Sequence, residues 1–374
     1  MTQRSLVFFV TALALSLLAA APLAAAEVTR TLRVELTAAE AGTFAVENLA
    51  GQMRIVPGSS SAVVAIATVH AESEELAGQV RFEQVSGKQG VPTLRVRYPL
   101  GSHSTFRYPA AGGDRGLLGW LGGGTTTEYD GERVKVSSRS GVLLYADVDV
   151  QVPPREVEAT FRNVVGSLQA QDVKGTLRFD TGSGDQKIER VSGTIVADAG
   201  SGDVTATGIE GSFRCDTGSG DCTLDSFNGE KVSCDTGSGD ITIRSSSARV
   251  VDADTGSGDI RAQDIDAEQF SADTGSGDVE LVARGDRLAR IDADTGSGDV
   301  VLRLGPDASF EAVASQGSGD IVNRYTDAQP ILKGKELIGY RRGDRKIRID
   351  VDTGSGDMVL EPGGASARRS GAGV

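Results

Sequence analysis

The chain has 374 residues, 39% apolar and 5% aromatic, with 49 glycines and a formal charge of −14 at pH 7. Few aromatics and many glycines disfavour a helical or large-pocket enzyme and favour short strands joined by tight turns. The acidic balance argues against nucleic acid and anionic membrane surfaces as partners and leaves cations and basic surfaces open.

Residues 1–26 read as a secretory signal peptide: Arg4 gives a positive start, an apolar run follows, and the alanines at 24–26 form a small-residue cleavage site before Glu27. The run is short for a membrane span of roughly 20 residues. No cysteine directly follows the cleavage site, and no later run could cross a bilayer. The expectation is an exported chain with no transmembrane span after signal cleavage, located in the periplasm, on the cell surface or outside the cell.

Residues 27–160 read as an irregular N-terminal β region. The stretch FAVENLAGQMRIV (44–56) places Gly51 at a candidate corner, AVVAIATV (62–69) and TLRVRYP (93–99) read as strands, and ADVDVQVPP (146–154) alternates cleanly. Between them lies a Gly-rich loop over 100–132. Its Leu117, Leu118, Trp120 and Leu121 read either as an exposed partner contact or as a flap folded back on the end of the domain.

From 161 to 361 the chain repeats. DTGSGD or a variant begins at Asp180, Asp198, Asp216, Asp235, Asp254, Asp273, Asp294, Ser315 and Asp352, at intervals of 18, 18, 19, 19, 19, 21, 21 and 37. The last interval is about two periods and predicts a rung that is degenerate or replaced by an insertion. FRNVVGSLQAQDVKG (161–175) reads as a rung one period before Asp180.

Aligned on the motif, apolar residues recur with period 2 on both sides. Leu177, Ile195, Phe213, Val232, Val251, Phe270 and Ile291 precede it; Val204, Cys222, Ile241, Ile260, Val279 and Val300 follow it. Val191, Ile209, Phe227 and Ile265 mark a second bend. A rung of 18–21 residues cannot bury its own apolar face, but stacked rungs make a continuous core. The prediction is an all-β parallel β-solenoid (β-helix) of about ten rungs, with equivalent residues about 4.8 Å apart, irregular N-terminal rungs and right-handed winding by default.

DTGS also surrounds the catalytic aspartate of pepsin-like proteases, which need two aspartates face to face. Copies that recur every rung stack their aspartates in a row, so no facing dyad is expected. The motif instead fits a corner: Thr181 and its counterparts continue the strand, glycines such as Gly218 and Gly220 supply positive φ, and Asp and Ser side chains accept from turn amides. Stacked carboxylates at this spacing repel by about 1 kcal/mol in water, which bound cations would offset. A calcium ladder is therefore a candidate, its oxygens coming from Asp180, Asp185, Asp198, Asp203, Asp216, Asp221, Asp235, Asp240, Asp254, Asp259, Asp273, Asp278, Asp294 and Asp299.

Other chemistry is poorly supported. GSGD lacks the GK[ST] of a phosphate loop, and the only two histidines, His70 and His103, stand far apart in sequence. A glycan-active enzyme needs a unique acid–base pair that identical repeats do not single out. No cofactor other than calcium is expected. Cys215, Cys222 and Cys234 all face inward and read as stacked core thiols; a link between Cys215 and Cys234 would hold their Cβ atoms farther apart than disulfides prefer. The segment 332–348 is basic and could recognise an anionic glycan or dock on the acidic ladder, but reads best as a solvated hairpin, and 362–374 reads as a disordered tail.

The repeated DTGSGDV string, the leader, and the segments FAVENLAGQMRIV and VDVQVPP together resemble the bacterial putative-adhesin β-strand-repeat family, a domain of unknown function. The resemblance spans about 44–360 and implies a β-helical fold and an envelope location; it supplies no catalytic residues. The expected function is a non-catalytic exported interaction or adhesion module that contacts a protein or glycan surface of the envelope or host. The alternatives are a calcium-dependent structural repeat protein and a glycan-active enzyme on a β-helix.

Overall fold

The computed structural model describes residues 27–37, 42–109 and 124–363. The expected leader, the contact residues Leu117, Leu118, Trp120 and Leu121, and the tail beyond 363 lie outside the described residues.

Two columns of parallel strands carry the architecture, which is all-β and solenoid-like. The first column opens with Thr43–Ala50 and Val157–Val165, continues through Lys174–Ser183, Ser192–Ser201 and their equivalents, and closes with Ile347–Thr353 and Phe310–Gln316. The second opens with Met53–Pro57 and Leu168–Gln171 and closes with Met358–Pro362 and Ile321–Asn323. Register follows the repeat: Leu177 pairs with Ile195, Ile195 with Phe213, Phe213 with Val232 and Val232 with Val251. These side chains are buried, as are Phe44, Phe161 and Phe179, whose rings pack at 5.8 and 5.7 Å between centroids. The DTGSGD corner joins the two columns.

Length changes are absorbed at the other bend. Gly211 pairs with Gly229 but Ser212 with Lys231, so Glu230 is the residue that lengthens the rung from 18 to 19. That bend is built from left-handed residues at equivalent positions: Asp172, Arg190, Ser226, Ser245 and Asp264, with φ between 48° and 60°, and Gly208 at 67°. Only one of these six is a glycine, so the left-handed positions leave little mark on the sequence, where the bend shows through Val191, Ile209, Phe227 and Ile265 instead.

Both ends depart from chain order. The 37-residue interval hides no degenerate rung. Instead Arg290–Thr295 pairs with Ile347–Thr353, which in turn pairs with Phe310–Gln316, so the rung of Asp352 lies between those of Asp294 and Ser315. The basic segment forms the hairpin Gln329–Lys333 and Glu336–Arg342, as expected from its sequence, but it is docked rather than free. Its second strand runs antiparallel to Phe310–Gln316, and Arg342 lies over the Tyr325 ring at 5.1 Å while pairing with Asp327 at 2.5 Å. It covers an edge that would otherwise be open to another chain.

At the N-terminal end Val142–Val152 runs parallel to Met53–Pro57 and antiparallel to Val63–Ala71, which pairs antiparallel with Val28–Leu36. On the other column Pro92–Arg97 runs parallel to Thr43–Ala50 and pairs antiparallel with Arg81–Ser86. A short helix, Glu74–Gln79, escapes the strand pattern; Ser73 caps it by accepting from the Leu76 N–H.

Gly184 and Gly202 take the expected positive φ, at 140° and 148°, but most of the motif glycines are required for another reason, the close approach of the neighbouring rung. Gly218 and Gly220, expected to take positive φ, do not. A Cβ on Gly220 would meet the Gly202 carbonyl oxygen at 2.0 Å, and one on Gly258 the Gly239 oxygen at 1.9 Å. The glycines stack from Gly51 and Gly166 to Gly298, Gly356 and Gly319, each beneath its neighbour's carbonyl. Gly258→Ala should therefore cost about 1–3 kcal/mol through overpacking. Gly101→Ala, which meets nothing within 4 Å, should stay within about 0.5 kcal/mol; chemical denaturation of the two variants checks the contrast.

Candidate binding face

Each residue of the corner motif has a separable task. The threonines Thr181, Thr217, Thr236, Thr255, Thr274, Thr295 and Thr353 are all buried. Strand propensity is only part of their role. Thr255 Oγ1 donates to the Gly239 carbonyl of the preceding rung at 2.8 Å and accepts from the Gly258 N–H of its own turn at 3.1 Å. Thr236 and Thr274 do the same. Toward the N-terminus asparagines take this place: Asn163 pairs in register with Thr181 and with Asn48. Asn163 donates to the carbonyls of Gly51 and Gly166, and Asn48 to Asn163 Oδ1 at 3.0 Å. The shared signal, Asn or Thr three residues before the stacked glycine, is present in the sequence at 48, 163 and 181.

The second aspartates form a ladder. The Asp203 N–H donates to Asp185 Oδ1 at 3.0 Å, Asp221 to Asp203, Asp240 to Asp221, and so on through Asp259, Asp278 and Asp299 to Asp357 and Asp320. The carboxylates thus accept from the amide of the next rung, where their own turn's amides were expected. Hydrogen bonds to a charged acceptor contribute about 1.5–3 kcal/mol each. Arg261 neutralises Asp240 and Asp259 from outside.

The first aspartates face solvent. Asp198 and Asp216 pair with Arg178 and Arg214, and Arg162 reaches Asp180 at 3.9 Å. Further along, Asp235, Asp254, Asp273, Asp294 and Asp352 follow one another in register, and among the described residues no cation pairs with them. Partial burial and then the charges of Asp273, Asp235 and Asp252 push the Asp254 carboxyl above its ordinary range. Burial and then Asp273 and Asp352 do the same at Asp294. A groove of about 350 Å³ opens on this column, lined by Asp273, Asp292, Asp294, Asp350 and Asp352. Asp292 and Asp350 are neutralised by Arg290 and Arg348.

The residues of the expected calcium ladder therefore occupy two lines, one bonded to backbone and one facing solvent, which arginines pair at Asp180, Asp198 and Asp216 and which is crowded with like charge from Asp235 onward. Among the described residues no group of three or more His, Cys, Asp or Glu is arranged to hold a metal ion. His70, apart from the repeats, stacks on Tyr145 at 4.4 Å and lies between Glu27 and Asp147, at 2.5 and 3.3 Å. Burial and these two carboxylates raise the Tyr145 hydroxyl to about 12. Asp147 Oδ1 also accepts from the Gln52 N–H at 2.8 Å, so the ladder's geometry begins a rung before the repeat becomes visible.

Thr255→Val should leave a buried carbonyl and amide unpaired at a cost of about 1–3 kcal/mol each, whereas Thr255→Ser should retain most of the stability; equilibrium unfolding distinguishes them. Asp273→Asn removes a like charge in register and should stabilise by about 0.2–1 kcal/mol at pH 7. The sign follows from the raised carboxyls of Asp254 and Asp294: the folded state holds their protons more tightly, so stability falls as pH rises through their range. The gain from Asp273→Asn should accordingly vanish once the pH drops below the carboxylate range, as unfolding midpoints measured from about pH 3 to 8 would record.

Residues 176–361 match the family model described as Toastrack DUF4097. No curated protein matches. Among solved structures, the chain is similar to a "putative lipid binding protein" from Parabacteroides distasonis, at 12% identity and TM-score 0.42, covering 89% of this chain and 96% of that one. A "putative adhesin" from Bacteroides fragilis shows 10% identity and TM-score 0.36, covering 90% and 97%. A "putative cell adhesion protein" from Clostridium sporogenes shows 7% identity and TM-score 0.19, covering 89% and 99%.

Proposed function

We propose that the protein is an exported, non-catalytic β-solenoid that binds a cationic region of an envelope or host surface, protein or glycan, in an adhesin-like role. The observation that carries this reading is the in-register row Asp235, Asp254, Asp273, Asp294 and Asp352, with no cation paired to it among the described residues. Thr, Gly and the second Asp of each motif are consumed by the fold; the first Asp in this stretch is not. A regular row of like charges at about 4.8 Å complements a basic polymer or a patch of Lys and Arg. Catalysis is disfavoured because equivalent rungs repeat one environment and provide no acid and base of unlike pKa. Export rests on the leader reading, and the periplasm, the cell surface and the medium are all compatible with it.

A calcium-dependent structural role is the second reading. Burial and, after it, the neighbouring carboxylates raise Asp254 and Asp294, and a divalent cation would relieve the repulsive part.

An array of glycans and oligolysine peptides, probed with the purified protein in calcium and in chelator, tests both readings. Binding without turnover is expected, weakened by salt and by the pair Asp254→Asn and Asp273→Asn. Retention of binding in that double variant would overturn the assignment of the face. A thermal midpoint that drops on chelation would favour the calcium reading, and release of a glycan product would identify an enzyme instead.

A further inference from the structure

Three cysteines meet in the core at the middle of the solenoid. Cys215 lies on Glu210–Thr217, Cys222 opens Cys222–Asp225 across the corner, and Cys234 lies on Asn228–Thr236 of the next rung. All three are buried. Cys215 and Cys234 are in-register neighbours on parallel strands, so their Cβ atoms project side by side at about the 4.8 Å strand spacing. That exceeds the usual disulfide Cβ separation of about 3.8 Å. Cys222 faces both Cys215 and Cys234 from the opposite column, and it is Cys234 whose sulfur it meets at 3.1 Å. That pair needs only a small rotation to bond, whereas the stacked pair would need backbone movement.

We propose that Cys222 and Cys234 form a disulfide that staples two successive rungs through the core, with Cys215 remaining a free thiol. This differs from the expectation of three core thiols. The step needs an oxidant, and a small-molecule disulfide of the glutathione type serves. One cysteine thiolate attacks it, forming a mixed disulfide and expelling one thiol. The second cysteine thiolate then attacks the protein sulfur of that mixed disulfide and expels the other. Two protein thiols are oxidised, one disulfide is reduced to two thiols, and the cysteine protons end on the departing sulfurs. Because the sulfurs are shut off from solvent in the folded chain, the exchange belongs to the stage before the two rungs close. Export would provide the oxidising compartment; the chemistry itself does not depend on the leader.

The test uses the full chain refolded in a glutathione redox buffer, then unfolded and alkylated without reductant. One labelled thiol is expected, at Cys215. Cleavage before aspartate places Cys215, Cys222 and Cys234 on separate peptides, since Asp216, Asp221 and Asp225 intervene, and mass spectrometry should find the Cys222 and Cys234 peptides linked. Cys215→Ala should keep the link, and Cys222→Ala should abolish it. Reduction should lower the wild-type thermal midpoint and leave that of Cys222→Ala unchanged. Three labelled thiols, or a link through Cys215, would overturn the proposal; because the mapping is done on the wild-type chain, the test stands even where a variant fails to fold.

Discussion

The fold depends on how closely one rung's backbone lies on the next at the corner. With a Cβ excluded on both motif glycines, carbonyl and amide groups of successive rungs come into contact, and polar side chains can then span them. A buried threonine hydroxyl ties each corner to the corner below, and an aspartate oxygen ties it to the corner above. Buried main-chain polar groups must find partners, and here three side-chain types satisfy a bend that a plain sheet would leave unpaired. The apolar columns supply the bulk of the burial, but the corner fixes their register, since a slip by one residue would place a Cβ against a carbonyl.

The same repetition that satisfies the interior concentrates charge outside. A side chain useful once becomes a line when the rung is copied. Where arginines alternate with the first aspartates, as at Arg178 and Arg214, the line is neutralised. Between Asp235 and Asp352 it is not, and burial together with the crowding of like charges raises the carboxyls of Asp254 and Asp294. Structural repetition and a polyanionic surface thus have one origin. A stretch that tolerates such repulsion is stable because the ladder beneath it is stable, which is how a binding face can be separated from the residues that hold the fold.

Much of this was legible in the sequence. The period, the inward positions from Leu177 to Ile291, the corner at DTGSGD and the early corner at Gly51 all follow from spacing and polarity. Three features were not. The glycines look like turn residues, and only the three-dimensional arrangement distinguishes a conformational need from the close approach that operates at Gly220 and Gly258. The equivalence of Asn48, Asn163 and Thr181 is obscured because residue types of different shape share one hydrogen-bonding task. The second bend shows in the sequence through Val191, Ile209, Phe227 and Ile265, but the left-handed aspartate, arginine and serine residues that turn it carry no compositional flag. The candidate face was half visible: both aspartate columns could be aligned, but which one the backbone engages depends on the direction in which each side chain leaves the corner.

The displaced rung at the C-terminal end has a consequence for how the molecule is assembled. Chain order and spatial order agree from Val157–Val165 to Arg290–Thr295, so that stretch can grow one coil at a time along the chain. Phe310–Gln316 cannot join it in turn, because the strand on which it rests, Ile347–Thr353, is made later. The strand that must lie beneath it is about thirty residues further along the chain. The last coil to be made is then inserted into the middle of a waiting sandwich, and completing the end of the solenoid becomes a single concerted event rather than one more turn of the winding.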